Sequence, residues 1–355
     1  MMKTCDVLAR DLEHVLASTS DLWEELRGRR IFITGATGFF GCWLLETFAW
    51  ANKNLALDST AVILTRNPQK LRQRVPHLAD RGLEIVVGDV RNFTFPDNEF
   101  SHIIHAATES SAELNAQQPQ LMFDTIVEGT RHCLDFAVRS GATKFLLTSS
   151  GAVYGKQPSD LTRVPEDFTG GPDPLEPDSA YAQGKRAAEL LCVLAAKQTG
   201  PQVKIARCFA FVGPYMKLDA HFAIGNFIRD HLEGVPIRVR GDSTPVRSYM
   251  YASDLMIWLW TILFRGNSCR AYNVGSEEGI SIGELAGSVA ATGSAHTPVE
   301  VFGMPLAGAS VARYVPSTVR AQQELGLRCT VSLGAAIERT VEWNRAQCPG
   351  ELQNR

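Results

Sequence analysis

The sequence predicts an α/β fold, a doubly wound parallel sheet with a smaller C-terminal α/β substrate lobe. Three observations predict it. Short apolar runs rich in β-branched residues alternate with helical segments as far as Cys208. A glycine-rich turn follows the first of these runs directly, and the alternation degrades after Gly213-Pro214. The chain's 355 residues also exceed the ~100–200 of a typical single domain, which fits two lobes.

Taken in order, residues 1–28 read as a polar helical lead-in, with Leu8, Leu12, Val15 and Leu16 at helical spacing. Strands are expected at Ile31–Thr34, Ala61–Thr65, Glu84–Val87, His102–His105, Lys144–Thr148 and Lys204–Cys208. Between them lie helices at Gly41–Ala51, Gln120–Arg139 and Ala180–Thr199. Strands separated by helices imply right-handed crossovers and parallel pairing. Their continuous apolar character fits strands covered on both faces. Beyond Pro214 the pattern predicts a helix near Asp219–Glu233 and short strands near Ile237–Val239 and Ala271–Val274. This divides the chain into a lead-in (1–28), a dinucleotide-binding region (29–213, with returning segments near 247–275), a mainly substrate-binding lobe (214–345) and a tail (346–355). The segment Lys156–Asp178 holds five prolines and Gly170-Gly171, and a loop that long inside a compact region is usually functional.

Composition removes several classes. With 45% hydrophobic and 21% charged residues the chain can build a large core without metal or disulfides. A net charge of −3 gives no electrostatic case for nucleic acid. No apolar run approaches the ~18 residues of a membrane span. Asp6, Asp11 and Glu13 stand where a signal peptide would be apolar, so a cytoplasmic location is expected. The eight cysteines are scattered without a C-x-x-C pair and read as reduced structural residues. The eight histidines form no H-E-x-x-H or Cys/carboxylate cluster, so no metal centre is expected.

The glycine turn is Thr34-Gly35-Ala36-Thr37-Gly38-Phe39-Phe40-Gly41, with a strand before it and a helix after. Gly35 allows a sharp turn, Gly38 lets backbone amides approach a pyrophosphate, and Gly41 lets helix and strand pack closely. The helix N-terminus then offers free N–H groups and a positive dipole end to the phosphates. This is the signature of a Rossmann-like dinucleotide site, with Thr34, Thr37, Phe39 and Phe40 as its neighbours. After the second strand, Arg66 stands where an acidic residue would bond the ribose 2′-hydroxyl of NAD. An arginine there favours the 2′-phosphate of NADP, so the cofactor is NADP or NAD with NADP favoured. Asp89 and Val90 follow the third strand, placing the carboxylate to accept from an adenine amine; its alternative reading is a turn residue.

Tyr181-Ala182-Gln183-Gly184-Lys185 puts a phenol and an ammonium one helical turn apart. A tyrosine of pKa ~10 is a poor base at neutral pH, and a nearby ammonium stabilises its phenolate. The segment Thr148-Ser149-Ser150-Gly151-Ala152-Val153-Tyr154-Gly155 ends the fifth strand, where active sites of such sheets form. Ser150 is positioned to bond the same substrate hydroxyl as Tyr181, and Ser149 to line the nicotinamide.

With these motifs in order, the chain resembles an extended short-chain dehydrogenase/reductase of the NAD-dependent epimerase/dehydratase family, most of whose members act on nucleotide-sugars. The matching segments are T-G-x-x-G-x-x-G at 34–41, G-D-V at 88–90, H-A-A at 105–107, S-S-x-x-V-Y-G at 149–155 and Y-x-x-x-K at 181–185. Two more are R-x-F-x-F-V-G-P at 207–214 and R-S-Y-x-Y-x-x-D at 247–254. The resemblance spans roughly residues 29–345. It implies Ser150, Tyr181 and Lys185 as catalytic triad, Ala106, Ala107 and Thr108 beside the cofactor, and Arg247 on the substrate's diphosphate. Asn226, with 239–242, is expected to help bind the nucleoside diphosphate. The family's dehydratases usually carry Asp-Glu where this chain has Gly151-Ala152, so elimination of water by that route is disfavoured. Glu109 is the candidate substitute acid or base, and Ala210 replaces a usual asparagine. The leading expectation is an epimerase acting through transient oxidation at sugar C4. The alternative is an NADPH-dependent keto-sugar reductase, and a non-catalytic NADP-binding sensor ranks third because the Tyr/Lys pair is intact. A homodimer built on the helices near Gln120–Arg139 and Ala180–Thr199 is also expected.

Overall fold

The computed structural model describes residues 6–78, 83–108, 112–198, 200–220, 222–293, 297–304 and 310–347. Seven strands form one parallel sheet: β1 (Arg30–Thr34), β2 (Thr60–Thr65), β3 (Glu84–Val87), β4 (His102–His105), β5 (Lys144–Ser150), β6 (Gln202–Cys208) and Arg270–Val274. Their spatial order is Arg270–Val274, β6, β5, β4, β1, β2, β3. The chain reverses direction across the sheet between β1 and β4, which are neighbours, and opens a crevice beyond their C-terminal ends. All six expected strands of the first half form. The seventh closes the far edge of the same sheet after the chain has visited the second lobe.

Both faces are covered, as the uninterrupted apolar strands require. On one face the helix Phe39–Asn54 and the nearly all-buried helix Ala252–Arg265 share a core with Ile31, Ile33 and Ile63. The lead-in joins this layer: Val7, Leu8, Leu12 and Val15 of helix Asp6–Thr19 are buried. On the other face Pro119–Arg139 and Ala180–Gln198 pack over Phe32, Val62, Phe145 and Val203. Cys42, Cys133, Cys192 and Cys208 are buried free thiols, and Cys269 and Cys329 are exposed free thiols. No helix among the described residues is long and apolar enough to cross a membrane.

The second lobe has its own core from helices Ala223–Leu232, Ile282–Ala290 and Leu333–Gln347. Its first helix begins later than the pattern suggests. Residues before it double back over Gly225, whose Cβ would lie 3.1 Å from the Lys217 carbonyl oxygen, so the helix starts only after that turn. A small sheet sets Val246–Arg247 between Ile280–Ser281 and Arg313–Tyr314. The proline-rich loop ties this lobe to the first: Val164 N–H donates to Val315 O at 2.9 Å, and Ser317 N–H to Val164 O at 2.9 Å.

Candidate active site

The glycine turn lies at the crevice, and its geometry gives each glycine a cause. Gly35 has φ +77°, and a Cβ there would sit 2.3 Å from the Ala106 carbonyl oxygen. A Cβ on Gly41 would sit 2.3 Å from both Gly35 O and Ala36 Cα, so any side chain would force the helix off the strand. Gly38 is exposed and would meet only Gly35 O, at 3.3 Å, leaving an open approach. Helix Phe39–Asn54 has no side-chain cap, and its first ladder bond runs from Cys42 N–H to Gly38 O at 3.0 Å. The N–H groups of Phe39, Phe40 and Gly41 therefore precede the ladder and face outward as anion donors. This uncapped, glycine-lined terminus fits a dinucleotide pyrophosphate.

Thr34 fixes the opposite wall. Its fully buried Oγ1 accepts from Ala106 N–H (3.2 Å) and Ala107 N–H (3.1 Å), and lies 2.9 Å from His105 Nδ1. His105 Nε2 lies 3.2 Å from Thr130 Oγ1, which itself donates to Ile126 O. This assigns the proton of His105 to Nε2 and makes Thr34 the donor to Nδ1. Burial pushes the His105 pKa down to about 3, so the ring is neutral. Val90 is buried against Gly129 and serves the core. Asp89 accepts from Arg91 N–H and Nε–H and is held below the usual carboxylate range, chiefly by that arginine and also by Arg66. Arg66 is exposed at the end of β2.

The reactive residues converge beyond β5. Lys185 Nζ is buried, donating to Thr148 O (2.8 Å) and Thr108 Oγ1 (2.9 Å), and lies 5.9 Å from the Tyr181 ring centre. Burial lowers its pKa to about 8. Tyr181 is raised to about 12 by burial, offset in part by a hydrogen bond with Ser150. Ser150 Oγ caps the following 3₁₀ turn by accepting from Ala152 N–H at 3.1 Å. The Ser149 hydroxyl donates to Glu189 Oε1 at 2.5 Å. Glu189 is paired with Arg207 at 2.7 Å, Arg207 donates to the Tyr154 hydroxyl, and that hydroxyl donates to Asn273 Oδ1. This buried network holds the strand ends behind the site, and no sequence motif singles out Glu189. Its only mark in the sequence is its place one turn beyond Lys185.

Asn226 and residues 239–242 line one cleft of about 240 Å³, with Arg229 and Arg240 supplying positive charge. Arg247 stands apart from that lining, its guanidinium 5.9 Å from the ring centre of Tyr314. Tyr314 belongs to none of the sequence motifs. Its phenol is buried, and Gly151 lacks a side chain where Tyr314 Oη and the Phe209 ring would each lie 2.7 Å from a Cβ. Glu109 lies outside the described residues. Among the described residues no group of three or more His, Cys, Asp or Glu side chains forms a metal site.

The family model for the NAD dependent epimerase/dehydratase family matches residues 31–275. Curated relatives include UDP-glucuronic acid decarboxylase 1 of Xenopus tropicalis, 29% identical over 329 residues, 92% of this chain and 74% of the relative. UDP-glucuronic acid decarboxylase 3 of Arabidopsis thaliana is 31% identical over 260 residues, 73% of each chain. Among solved structures, a dTDP-glucose 4,6-dehydratase of Streptomyces venezuelae with NAD bound superposes with TM-score 0.73 at 26% identity, covering 90% of this chain and 98% of the other. The UDP-glucose 4-epimerase of Thermotoga maritima shares the fold, with TM-score 0.73 at 19% identity over 90% of this chain and 99% of the other.

Proposed function

This chain belongs to the NAD dependent epimerase/dehydratase family, and from that premise we propose that it is a nucleotide-sugar epimerase working through transient oxidation at sugar C4. The observation that carries the reading is the convergence of Ser150, Tyr181 and Lys185 beside the uncapped glycine turn. A nicotinamide cofactor held in that crevice by the glycine turn would supply the hydride acceptor, and then the donor, for sugar C4. Tyr181 takes the C4 hydroxyl proton and gives it back, Ser150 orients that hydroxyl, and Lys185 supplies the positive charge that favours phenolate. A nucleoside diphosphate would lie across the Asn226 cleft toward Arg247, because the first lobe's anion site is taken by the cofactor. Gly151 and Ala152 carry no titratable group, which favours inversion over loss of water.

The test is a panel of UDP-, dTDP-, GDP- and CDP-sugars followed by NMR without added reductant. Inversion at C4 supports the reading. The curated relatives named decarboxylases favour one second outcome, loss of C6 from a uronic acid, since a C4 ketone makes that carboxylate a β-keto acid. Turnover only with added NADPH would instead favour a reductase, in line with Arg66 beside Asp89. We assign NADP over NAD on that arginine; tighter binding of NAD, or an unchanged preference in Arg66→Ala, would refute it. The exposed Leu190 and Leu194 on one helix and Leu121 and Val138 on the other support a homodimer through these helices. Light scattering giving a monomer mass at micromolar concentration would overturn that.

A further inference from the structure

Tyr181, Lys185 and Glu189 stand one turn apart on a single helix and form one stripe along its face. The stripe meets the end of β5 at two successive residues. Lys185 Nζ donates to Thr148 O at 2.8 Å, and one turn further on Glu189 Oε1 accepts from Ser149 Oγ at 2.5 Å. Glu189 reaches the next strand as well. Arg207 of β6 is in register with Ser149, and its Nε and Nη2 donate to the same carboxylate at 3.0 and 2.7 Å. Its Nη1 donates to the Tyr154 hydroxyl at 2.9 Å and to Glu166 O of the proline-rich loop at 3.2 Å. Lys185 and Glu189 are both buried.

The acid/base reading gives Tyr181 and Lys185 their work and leaves Glu189 without any. Lys185 alone does not place the helix, because an ammonium on a flexible four-carbon stem tolerates small slides and rolls of the backbone that carries it. A carboxylate held by a guanidinium fork is fixed in direction, since the paired bonds set its plane. We propose that Glu189 is a positioning residue for Lys185 and Tyr181: anchored on Arg207, it fixes the slide and roll of their helix against the end of β5. Two points on successive turns, bonded to successive strand residues, define both motions. Of the three ammonium protons of Lys185, one goes to Thr148 O and one to Thr108 Oγ1 at 2.9 Å, so the direction of the third follows from where the helix sits. The proposal rests on the reading of Tyr181 and Lys185 as the reactive pair.

The experiment joins crystal structures of the cofactor-loaded variants to steady-state kinetics on the nucleotide-sugar that the panel turns over. Glu189→Gln keeps the length of the side chain and loses the charge that Arg207 clamps. Its kcat per cofactor-loaded site should fall about a hundredfold with KM within about twofold, as expected of misplaced reacting groups. Ser149→Ala removes one hydroxyl and spares the Glu189–Arg207 pair, so it keeps the test open if the glutamine variant does not fold; its kcat should fall about tenfold. Ser149→Thr keeps the hydroxyl and should restore kcat to within about threefold of wild type. The double variant should be no worse than Glu189→Gln alone, because the two act through one bond. In the crystals of the variants Lys185 Nζ should leave Thr148 O. A Lys185 still bonded to Thr148 O, losses that multiply in the double variant, or a loss confined to KM would overturn this proposal and leave the acid/base reading standing. If no nucleotide-sugar is turned over, the proposed function fails, and the crystal structures still decide whether Glu189 sets the place of Lys185.

Discussion

Replacing Thr34 by valine tests whether one hydroxyl holds the cofactor wall. The two side chains have nearly the same shape, but valine has no oxygen. In the structure Thr34 Oγ1 satisfies Ala106 N–H at 3.2 Å, Ala107 N–H at 3.1 Å and His105 Nδ1 at 2.9 Å. Thr34 and His105 are buried, so water cannot replace the bond between them, whereas the two alanine amides are only partly buried. A buried polar group left without a partner costs ~1–3 kcal/mol. Taking the full range for His105 and the low end for each of the two amides gives a loss of about 3–5 kcal/mol. Thr34→Ser keeps the oxygen and loses one methyl, at about 1 kcal/mol. Urea denaturation followed by circular dichroism reads both, with an unchanged slope marking a change in stability alone. Cofactor affinity should also fall in the valine variant, because the freed Ala106–Ala107 segment abuts Gly35. A valine variant within about 1 kcal/mol of wild type, or a serine variant as damaged as valine, would refute the argument.

Tyr181→Phe should leave folding and cofactor binding intact and lower turnover by about a hundredfold or more, whereas Lys185→Ala should weaken cofactor binding as well; near-normal turnover in the first would remove Tyr181 from proton transfer. Arg247→Ala should raise the KM for a nucleotide-sugar much more than it changes cofactor affinity, measured by calorimetry, and equal effects on both would remove Arg247 from the diphosphate. Burial holds the pKa of His102 at about 4 and of His105 at about 3, below the ~6.5 of the unfolded chain. Each depressed value means the unfolded state takes up a proton that the native state refuses. The stability they support is therefore complete above pH ~6.5 and falls by ~1.4 kcal/mol per unit per histidine as pH drops toward 4. His105→Gln should flatten that slope in urea titrations from pH 7 to 4.5, and an unchanged slope would show that His105 does not contribute.

The first half of the fold is legible in the sequence because its signals are local. Runs such as Ile31–Thr34 and His102–His105 are buried on both faces, so their apolar character is continuous and their boundaries fall within a residue or two. The second lobe is less so. Its strands are two or three residues long, and pairs such as Val246–Arg247 with Arg313–Tyr314 exist only through tertiary contact. A two-residue strand has no period to detect. The Asp219–Glu233 segment shows the same limit at a helix end, where the close approach at Gly225 overrides helical pattern until Ala223.

The site divides along the same line. Residues named by a motif lie on one contiguous turn or one helical face, so spacing alone brings Gly35 to Gly41 and Tyr181 to Lys185. Spacing does not say what a strand-end hydroxyl will bond, and so it does not show that Ser149 donates to the buried Glu189. Nor does it reveal what fills a space left by a glycine. Gly151 read from sequence is a lost acid; in the structure it is the clearance for a phenol that reaches the site from a strand more than a hundred and fifty residues away. A carboxylate at that position and Tyr314 cannot share the volume without the ring moving off Phe209. The departure from the dehydratase pattern and the arrival of Tyr314 are thus one packing event, and Gly151→Asp should shift the Tyr314 ring before it restores any elimination.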